Sequence, residues 1–183
     1  INDYYFTDLH WKQENLDKIA LILSKEMNFD YVSNFTFEKD YYPFYGSYYG
    51  NGFNNIPKDT IKYLYNEAIL NAKVIYYEDS YNSNIYNEEQ LGGLDSYNVF
   101  LNGPSPFIEI INENALSNKE LIIFRDSFTS SLAPLLVNSY SKISLIDLRY
   151  MPTSELGNFL EFNNQDVLFL YNTSIINNSS ILK

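Results

Sequence analysis

The chain has 183 residues, of which 45% are hydrophobic and 19% charged, and this size suits one packed domain. Its 18 Tyr and 13 Phe exclude the aromatic-poor composition of disordered chains. The 12 basic and 23 acidic side chains give a net charge of -11, which repels nucleic acid and anionic lipid surfaces. We therefore expect a single domain over residues 1–183 with no nucleic-acid partner.

Cysteine is absent, which excludes disulfides and thiolate metal ligands and is compatible with an exported protein of a Gram-positive-type bacterium. No run of about 18 apolar residues is present. The sequence begins at Ile1, and we expect that an upstream signal, anchor or N-terminal portion precedes it in the full protein. Membrane association would then occur only through that anchor, and the expected location is extracellular or at the cell surface.

The first half of the chain mixes helical and aromatic patterns. Apolar residues recur at helical spacing within residues 12–27, which predicts an amphipathic helix. Residues 34–55 lack a helical period and predict short strands or a long aromatic loop. Pro57 marks the start of a second predicted helix, which runs to residue 71. Further strand candidates lie at 73–78 and 97–101.

The second half of the chain alternates strand and helix patterns. Buried-type apolar runs at 120–124, 143–147 and 166–171 predict three strands. Segments 130–140 and 153–163 each open with Ser or Thr and predict helices between them. This order is typical of an α/β domain with a mostly parallel sheet. The polar tail over 173–183 is expected to be partly frayed.

Ser127 stands where an α/β fold presents its reactive groups, directly after the run at 120–124. The free N–H groups of the following helix would stabilise a nearby oxyanion, so the position suits a nucleophile. Turn or capping chemistry is nevertheless the commoner explanation of an isolated Asp-Ser pair after a strand.

A Ser hydroxyl needs a base to act as a nucleophile, and His10 is the only His in the chain. Asp8 would accept a hydrogen bond from one imidazole nitrogen and leave the other facing a hydroxyl. A lone His is more often an ordinary structural residue, and Thr7 or Asp8 would also serve as the N-cap of the following helix. Asp8, His10 and Ser127 therefore form a candidate catalytic triad.

Several ordered blocks carry a resemblance to one family. Thr-Asp-Leu-His-Trp at 7–11 resembles the Asp-His-His-Trp signature of the DHHW family, with Leu9 in place of the first His. Asn-Gly-Pro-Ser-Pro-Phe at 102–107 and Arg-Asp-Ser-Phe at 125–128 are similar to its Gly-x-x-Pro-Leu and Lys-Asp-Ser-Tyr/Phe blocks. Further similar blocks continue in register at 133–135, 139–140 and 146–150. The resemblance thus covers nearly the whole chain.

The DHHW family is related to SGNH-like alginate O-acetyltransferases, in which an Asp-x-His motif precedes a Gly-Asp-Ser-type nucleophile. The resemblance implies an SGNH-hydrolase-like three-layer fold. It implies Ser127 as nucleophile, His10 as general base and Asp8 as the orienting carboxylate. Leu9 is not a triad position in the Asp-x-His pattern, so this departure weakens the signature more than the chemistry.

The same resemblance implies where the oxyanion donors lie. One is the backbone N–H of Ser127, and another belongs to an Asn or Gly in a neighbouring loop. Asn172 is one candidate, with a polar strand terminator as the alternative. Asn102 together with Gly103 is the other candidate.

Further substrate contacts are expected near the middle strand and in the aromatic region. Arg149 and Tyr150 would bind a substrate carboxylate or sugar hydroxyl, although a structural ion pair also explains Arg149. The tyrosines of residues 41–49 form either a stacking surface for sugar rings or a loop packed onto the domain. The acidic pairs at 78–79 and 88–89 are expected at the solvated surface.

The resemblance implies a secreted or surface-tethered serine esterase or O-acetyltransferase. Its substrate would be an acyl group on a cell-envelope or extracellular polysaccharide. A non-catalytic carbohydrate- or partner-binding envelope protein on the same scaffold is the alternative, and an incomplete part of a larger enzyme is a third. With one His and no Cys, we expect no metal site and no cofactor.

Overall fold

The structure is a computed structural model that describes residues 2–49, 55–77 and 81–183. The strands in these ranges are β1 (Phe37–Phe44), β2 (Asp59–Tyr65), β3 (Lys73–Tyr76), β4 (Tyr81–Ser83), β5 (Phe107–Ile111), β6 (Glu120–Arg125), β7 (Lys142–Ile146) and β8 (Asp166–Leu170). The α-helices are α1 (Asp17–Met27), α2 (Glu67–Asn71), α3 (Thr129–Leu136) and α4 (Thr173–Asn177). Short 3-10 helices lie at Gln13–Asn15, Glu88–Gln90, Ser96–Val99, Thr153–Asn158 and Ser179–Ile181.

The central sheet has the strand order β4-β3-β5-β7-β6-β8. Strand β6 pairs in parallel with β7 and β8, whereas β5 is antiparallel to β7 and β3, and β3 is antiparallel to β4. The α/β prediction is confirmed, but the prediction of a mostly parallel sheet is wrong. A parallel crossover needs about a dozen or more residues, and the links β3–β4 and β5–β6 are shorter than that.

The carboxyl end of β6 carries the candidate nucleophile, and helix α3 follows it directly. Every residue of α3 is buried, and α1 packs against it on one face of the sheet. The other face is covered by the 3-10 helix Thr153–Asn158 and the segment that ends at Leu160. A continuous α-helix was predicted there. Gly157 and Asn158 have low helix propensity, which favours the shorter element.

The prediction of a helix over 57–71 is wrong for its first half. Residues 59–65 alternate between buried and partly buried side chains, as a strand does, and β2 pairs with β1 as an antiparallel ribbon. Only α2 is helical in this region. The strand predicted at 97–101 is also wrong, because the Asp95 side chain accepts a hydrogen bond from Tyr97 N and starts a 3-10 helix.

Other predicted elements are confirmed with shifted ends. The helix predicted at 12–27 is a 3-10 turn followed by α1, which ends at Met27 and is capped by Asn28 with φ of 54°. Glu88 of the second acidic pair forms an ion pair with Lys39, and the pair at 78–79 lies outside the described residues. Among the described residues, none of the helices combines the length and apolar character that crossing a membrane requires.

Candidate active site

Asp8, His10 and Ser127 form one hydrogen-bonded chain. Nε2 of His10 lies 2.8 Å from Oγ of Ser127, and Nδ1 lies 2.5 Å from Oδ1 of Asp8. Asp8 and His10 are 3% and 7% exposed, and Ser127 is partly exposed. The fold thus brings together residues that are 117 positions apart in sequence. In this geometry an imidazole can take a proton from the hydroxyl while the carboxylate fixes the ring.

The Asp126 carboxylate holds the turn that carries Ser127. Asp126 is fully buried, and its Oδ1 accepts a hydrogen bond of 2.9 Å from Phe128 N. Its Oδ2 accepts a bond of 2.6 Å from Asn172 N, at the end of β8. Because β8 is the neighbour of β6, this carboxylate ties the turn that carries Ser127 to the end of the adjacent strand. The sequence analysis weighed turn chemistry against a nucleophile for the Asp-Ser pair, and it gave no separate role to Asp126.

The Asp8 carboxylate is anchored from both sides. Oδ1 accepts a backbone bond of 2.9 Å from His10 N, and Oδ2 accepts one of 2.8 Å from Ser47 N. Burial alone would raise the pKa of Asp8, but the hydrogen bonds and charge of His10 and the Ser47 N–H lower it to about 2. Asp8 is therefore ionised at any pH near neutrality, as an orienting carboxylate must be.

A loop from the aromatic segment 41–49 packs against the backbone around Asp8. Tyr48 N donates to Thr7 O at 2.9 Å, and Gly46 N donates to Thr7 Oγ1 at 3.1 Å. A Cβ at Gly46 would overlap Asp8 Cβ and the Thr7 carbonyl, so only glycine fits without a shift. This part of the segment supports the candidate site, and no signal in the sequence pointed to Gly46.

The imidazole of His10 is flanked by aromatic rings. Tyr97 stacks on it with 3.8 Å between ring centroids, and the Phe128 ring lies 5.0 Å away. The Tyr97 hydroxyl donates to Ser131 Oγ at 2.9 Å. Sequence reasoning missed Tyr97 because it assigned the residue to a strand.

Two side chains next to His10 attach its segment to helix α3. The Trp11 indole N–H donates to Phe128 O at 2.8 Å and to Ser131 Oγ at 2.9 Å. The Gln13 amide donates to Ser131 O at 2.8 Å. These contacts hold the segment of His10 against the helix that follows Ser127.

The candidate oxyanion residues have different surroundings. The Asn172 Oδ1 accepts hydrogen bonds from Ser174 N and Ile175 N and so caps α4, a helix that the sequence analysis did not predict. Its backbone N–H still joins it to Asp126 beside the nucleophile turn.

Asn102 and Gly103 lie in a different loop. The Asn102 Oδ1 accepts from Asn87 Nδ2 at 2.7 Å and from Gln90 Nε2 at 2.9 Å, which holds it against the turn at 87–90. Gly103 has φ of 84°, a backbone conformation that favours glycine. These observations give both residues a role in loop structure.

Arg149 forms a bidentate ion pair with Asp147. Its Nε lies 2.9 Å from Oδ1 and a terminal nitrogen lies 2.6 Å from Oδ2 of the fully buried carboxylate. The guanidinium also sits 5.4 Å from the ring centroid of Tyr150, which is half-exposed. The structural ion pair that was the alternative for Arg149 is therefore present.

A cleft of about 550 Å³ opens beside the candidate triad. It is lined by Tyr4, Leu9, Trp11, Tyr48, Phe128, Leu170, Tyr171, Asn172, Thr173 and Ser174. A cavity of about 600 Å³ near Lys39 and Glu88 has no sequence neighbour of the triad residues in its lining, so the first cleft is the one relevant to chemistry at Ser127. In the described parts of the chain, no three His, Asp or Glu side chains group as a metal site would require.

Comparison with solved structures identifies the fold. A DHHW family protein from Eubacterium siraeum matches with a TM-score of 0.77 at 22% sequence identity, over 99% of this chain and 63% of that one. The chain has the fold of a DHHW family protein. The predicted resemblance to that family is thus confirmed at the level of the fold.

Bacillus cereus PatB1 shares the same fold. Its structure with a sulfonyl adduct matches with a TM-score of 0.72 at 19% identity, over 96% of this chain and 62% of PatB1. A second PatB1 structure gives a TM-score of 0.72 at 20% sequence identity, over 96% of this chain and 64% of PatB1. No family model and no curated protein matches the sequence. The chain spans less than two thirds of the length of these DHHW-fold proteins.

Proposed function

We propose that this chain is a serine esterase or O-acetyltransferase that uses Ser127 as nucleophile, His10 as general base and Asp8 as the orienting carboxylate. The observation that carries the proposal is the 2.8 Å approach of His10 Nε2 to Ser127 Oγ, with Asp8 on the other ring nitrogen. Asp8 keeps Nδ1 protonated, so Nε2 is the nitrogen that accepts the Ser127 proton.

The reaction follows from these positions in two steps. Ser127 Oγ attacks the acyl carbonyl while His10 takes its proton, and His10 then returns the proton to the departing alcohol. The backbone N–H of Ser127 stabilises the oxyanion. The N–H groups of Phe128, Thr129 and Ser130 are not available for this, because each donates within the turn. In the second step, water or a sugar hydroxyl attacks the acyl-enzyme with His10 again acting as base.

The fold supports this proposal without fixing the reaction, because one fold can host several functions. PatB1, which shares the fold, has been obtained with a sulfonyl adduct. Sulfonylating reagents react with activated nucleophiles, so the same reagent class offers a direct probe of Ser127.

The substrate and location in this proposal come from the family resemblance. The acyl group would belong to a cell-envelope or extracellular polysaccharide, and the protein would act outside the cell. The net charge of -11 fits a neutral or weakly charged sugar partner better than a polyanion.

A carbohydrate-binding protein without catalysis is the second candidate. Tyr42, Tyr45 and Tyr48 are 64%, 40% and 45% exposed and present ring surface to solvent, which such binding uses. A binding protein has no need of a buried carboxylate, an oriented imidazole and a serine in one chain, so we favour the enzyme.

The test is covalent labelling by an alkylsulfonyl fluoride or fluorophosphonate, together with acetate release from 4-nitrophenyl acetate. Both signals should appear in the unmodified chain and vanish in Ser127→Ala. Ser154→Ala removes an exposed serine hydroxyl and should behave like the unmodified chain. Equal labelling and ester cleavage in Ser127→Ala would end the hydrolase proposal and leave the binding function.

A further inference from the structure

Arg125 is a cation buried directly beneath the turn that carries Ser127. It is the last residue of β6, and it is only 1% exposed. Side chains alternate along a strand, so Arg125 shares a face with Leu121 and Ile123, which belong to the core under α3. Burying a guanidinium is costly, so a charge at this position needs a physical explanation.

The guanidinium is bonded to the first turn of α3. Its Nη1 donates to Ser130 Oγ at 3.1 Å, and Ser130 N donates in turn to the carbonyl oxygen of Ser127 at 3.1 Å. Its Nη2 donates over a longer 3.4 Å to the carbonyl oxygen of Ser105, in the loop before β5. Arg125 thus connects the turn of Ser127, through Ser130, to that loop.

The positive charge of Arg125 has no close carboxylate. Among the described residues, no Asp or Glu oxygen lies within 4 Å of its nitrogens, and its Nε is buried without a hydrogen-bond partner. The Asp147 carboxylate is engaged by Arg149, and both oxygens of Asp126 accept backbone N–H groups. Burial lowers the pKa of Arg125, and the charge of Asp147 opposes this, but an arginine stays protonated in proteins. Arg125 is therefore a fixed cation whose field is not cancelled at close range.

The proposed reaction develops a negative charge on the same turn. Of the backbone N–H groups in residues 127–130, only that of Ser127 donates to no protein group, so the turn offers one hydrogen bond to the oxyanion. A fixed charge in a dry interior acts over several ångströms and needs no reorganisation when the oxyanion forms. A cation beneath the turn therefore stabilises the charged transition state more than the neutral ester.

We propose that Arg125 is a positioning residue for this reaction, which holds the first turn of α3 through Ser130 and supplies a fixed positive charge behind the oxyanion at Ser127. The inference rests on the proposed function and adds a residue to its machinery. Arg125 exchanges neither a proton nor a covalent bond with the substrate, so the bonds that form and break at Ser127 are unchanged. The competing explanation is a purely structural cation that balances the buried Asp126 and Asp147, and it predicts a loss of stability without a loss of kcat.

The experiment compares Arg125→Gln, which removes the charge, with Arg125→Lys, which keeps it. With 4-nitrophenyl acetate, kcat should fall at least about tenfold in Arg125→Gln while KM stays within about twofold, because the charge acts on the transition state. Arg125→Lys restores a cation and should keep kcat within about threefold of the unmodified chain. Lys25→Met removes an exposed cation from α1 and should leave both constants unchanged.

Inhibition by phenylboronic acid supplies a second measurement. Its boron bonds to an activated serine oxygen as a negatively charged tetrahedral adduct, which resembles the transition state. The inhibition constant should rise at least about tenfold in Arg125→Gln and stay close to the original value in Arg125→Lys. A structural role would lower the free energy of unfolding without changing this constant in the folded protein.

Unchanged kcat and boronate inhibition in Arg125→Gln, or an equal loss in Arg125→Lys, would overturn the role of Arg125 and leave the esterase intact. If Arg125→Gln does not fold, Ser130→Ala decides, since it removes only the hydroxyl that Arg125 holds. A loss of about two- to fivefold in kcat in Ser130→Ala supports the inference, and an unchanged kcat overturns it. Absence of Ser127-dependent cleavage in the unmodified chain would overturn the proposed function and the inference together.

Discussion

The phenol ring of Tyr97 lies parallel to the imidazole of His10, with 6° between the ring planes and 3.8 Å between the centroids. One face of the imidazole is thereby covered, and the ring can rotate only by breaking the stack. Because Asp8 and Ser127 bond opposite nitrogens in the ring plane, the stack fixes the orientation that both bonds need.

We expect Tyr97→Leu to lower kcat/KM for a cleavable ester by about three- to tenfold, because an aromatic pair contributes roughly 0.5–1.5 kcal/mol beyond its buried area. Tyr97→Phe keeps the ring and should retain most of the activity, although it loses the bond to Ser131 and about 1 kcal/mol of stability. Steady-state kinetics and thermal unfolding of both variants check this. Equal activity loss in the two variants would show that the hydroxyl, and not the stack, orients His10.

Gly46→Ala should disable the site through Asp8. The new Cβ would overlap Asp8 Cβ and the Thr7 carbonyl, so the backbone that carries the carboxylate must move. We expect a loss of about 1–3 kcal/mol in the free energy of unfolding, and at least a tenfold loss of activity. Gly157→Ala is the matched control, since its Cβ would meet nothing within 4 Å. If the two variants have the same free energy of unfolding and the same activity, the close packing of Gly46 on Asp8 does not matter for stability or for the candidate site.

Asp126→Asn should loosen the nucleophile turn while leaving Ser127, His10 and Asp8 in place. An amide has one acceptor oxygen, so it cannot accept from both Phe128 N and Asn172 N. We expect about 1–3 kcal/mol of destabilisation, with kcat reduced in the fraction that remains folded. Urea unfolding and kinetics below the unfolding transition measure the two effects. Asp30→Asn, at an exposed aspartate, supplies the control, and an Asp126→Asn variant with control-like stability contradicts the assignment.

The Asp8 carboxylate should also make the free energy of unfolding depend on pH. Its pKa of about 2 in the folded protein lies below the usual value of about 3.9 for an unfolded chain. The carboxylate therefore stabilises the native state above about pH 4, and this contribution of about 2–3 kcal/mol is lost as the pH falls to about 2. Urea unfolding at about pH 5 and about pH 3 should show Asp8→Asn approaching the unmodified chain at the lower pH. If the difference in free energy of unfolding between Asp8→Asn and the unmodified chain is the same at both pH values, the prediction is wrong.

Periodic burial made part of the fold predictable. Strands β6, β7 and β8 were located to within a residue at each end from their apolar runs. The runs of β6 and β7 are buried as predicted, whereas Val167 and Phe169 of the edge strand β8 are exposed. Strand β5 was not predicted because Glu109 interrupts its apolar run. The Asn-Gly-Pro sequence before it was interpreted only as part of a block that resembles the DHHW family. Strand β2 was read as a helix because Pro57 and Asp59 look like a helix start. In the structure, the Asp59 carboxylate instead accepts two bonds of 2.7 Å from Thr7.

The residues of the candidate site also fall into those that the sequence could indicate and those that it could not. Asp8, His10 and Ser127 were predicted together because the one His lies beside Asp8, Ser127 follows a predicted strand, and the ordered sequence blocks resemble the DHHW family. Gly46 and Tyr97 could not be predicted as site residues, because their roles depend on contacts with residues that are distant in sequence. Leu9 was noticed as a departure from a signature, and only the folded chain shows that it lines a cleft.

The attachment of Trp11 and Gln13 to Ser131 has a consequence for how the protein loses activity. His10 and Ser127 belong to separate parts of the fold, because His10 lies in the segment that precedes α1 and Ser127 follows a strand of the central sheet. Segments of this kind can detach in local opening events that cost less than global unfolding. On mild heating, esterase activity should therefore disappear before the circular dichroism of the sheet does, and inactivation would report undocking of the segment that carries His10.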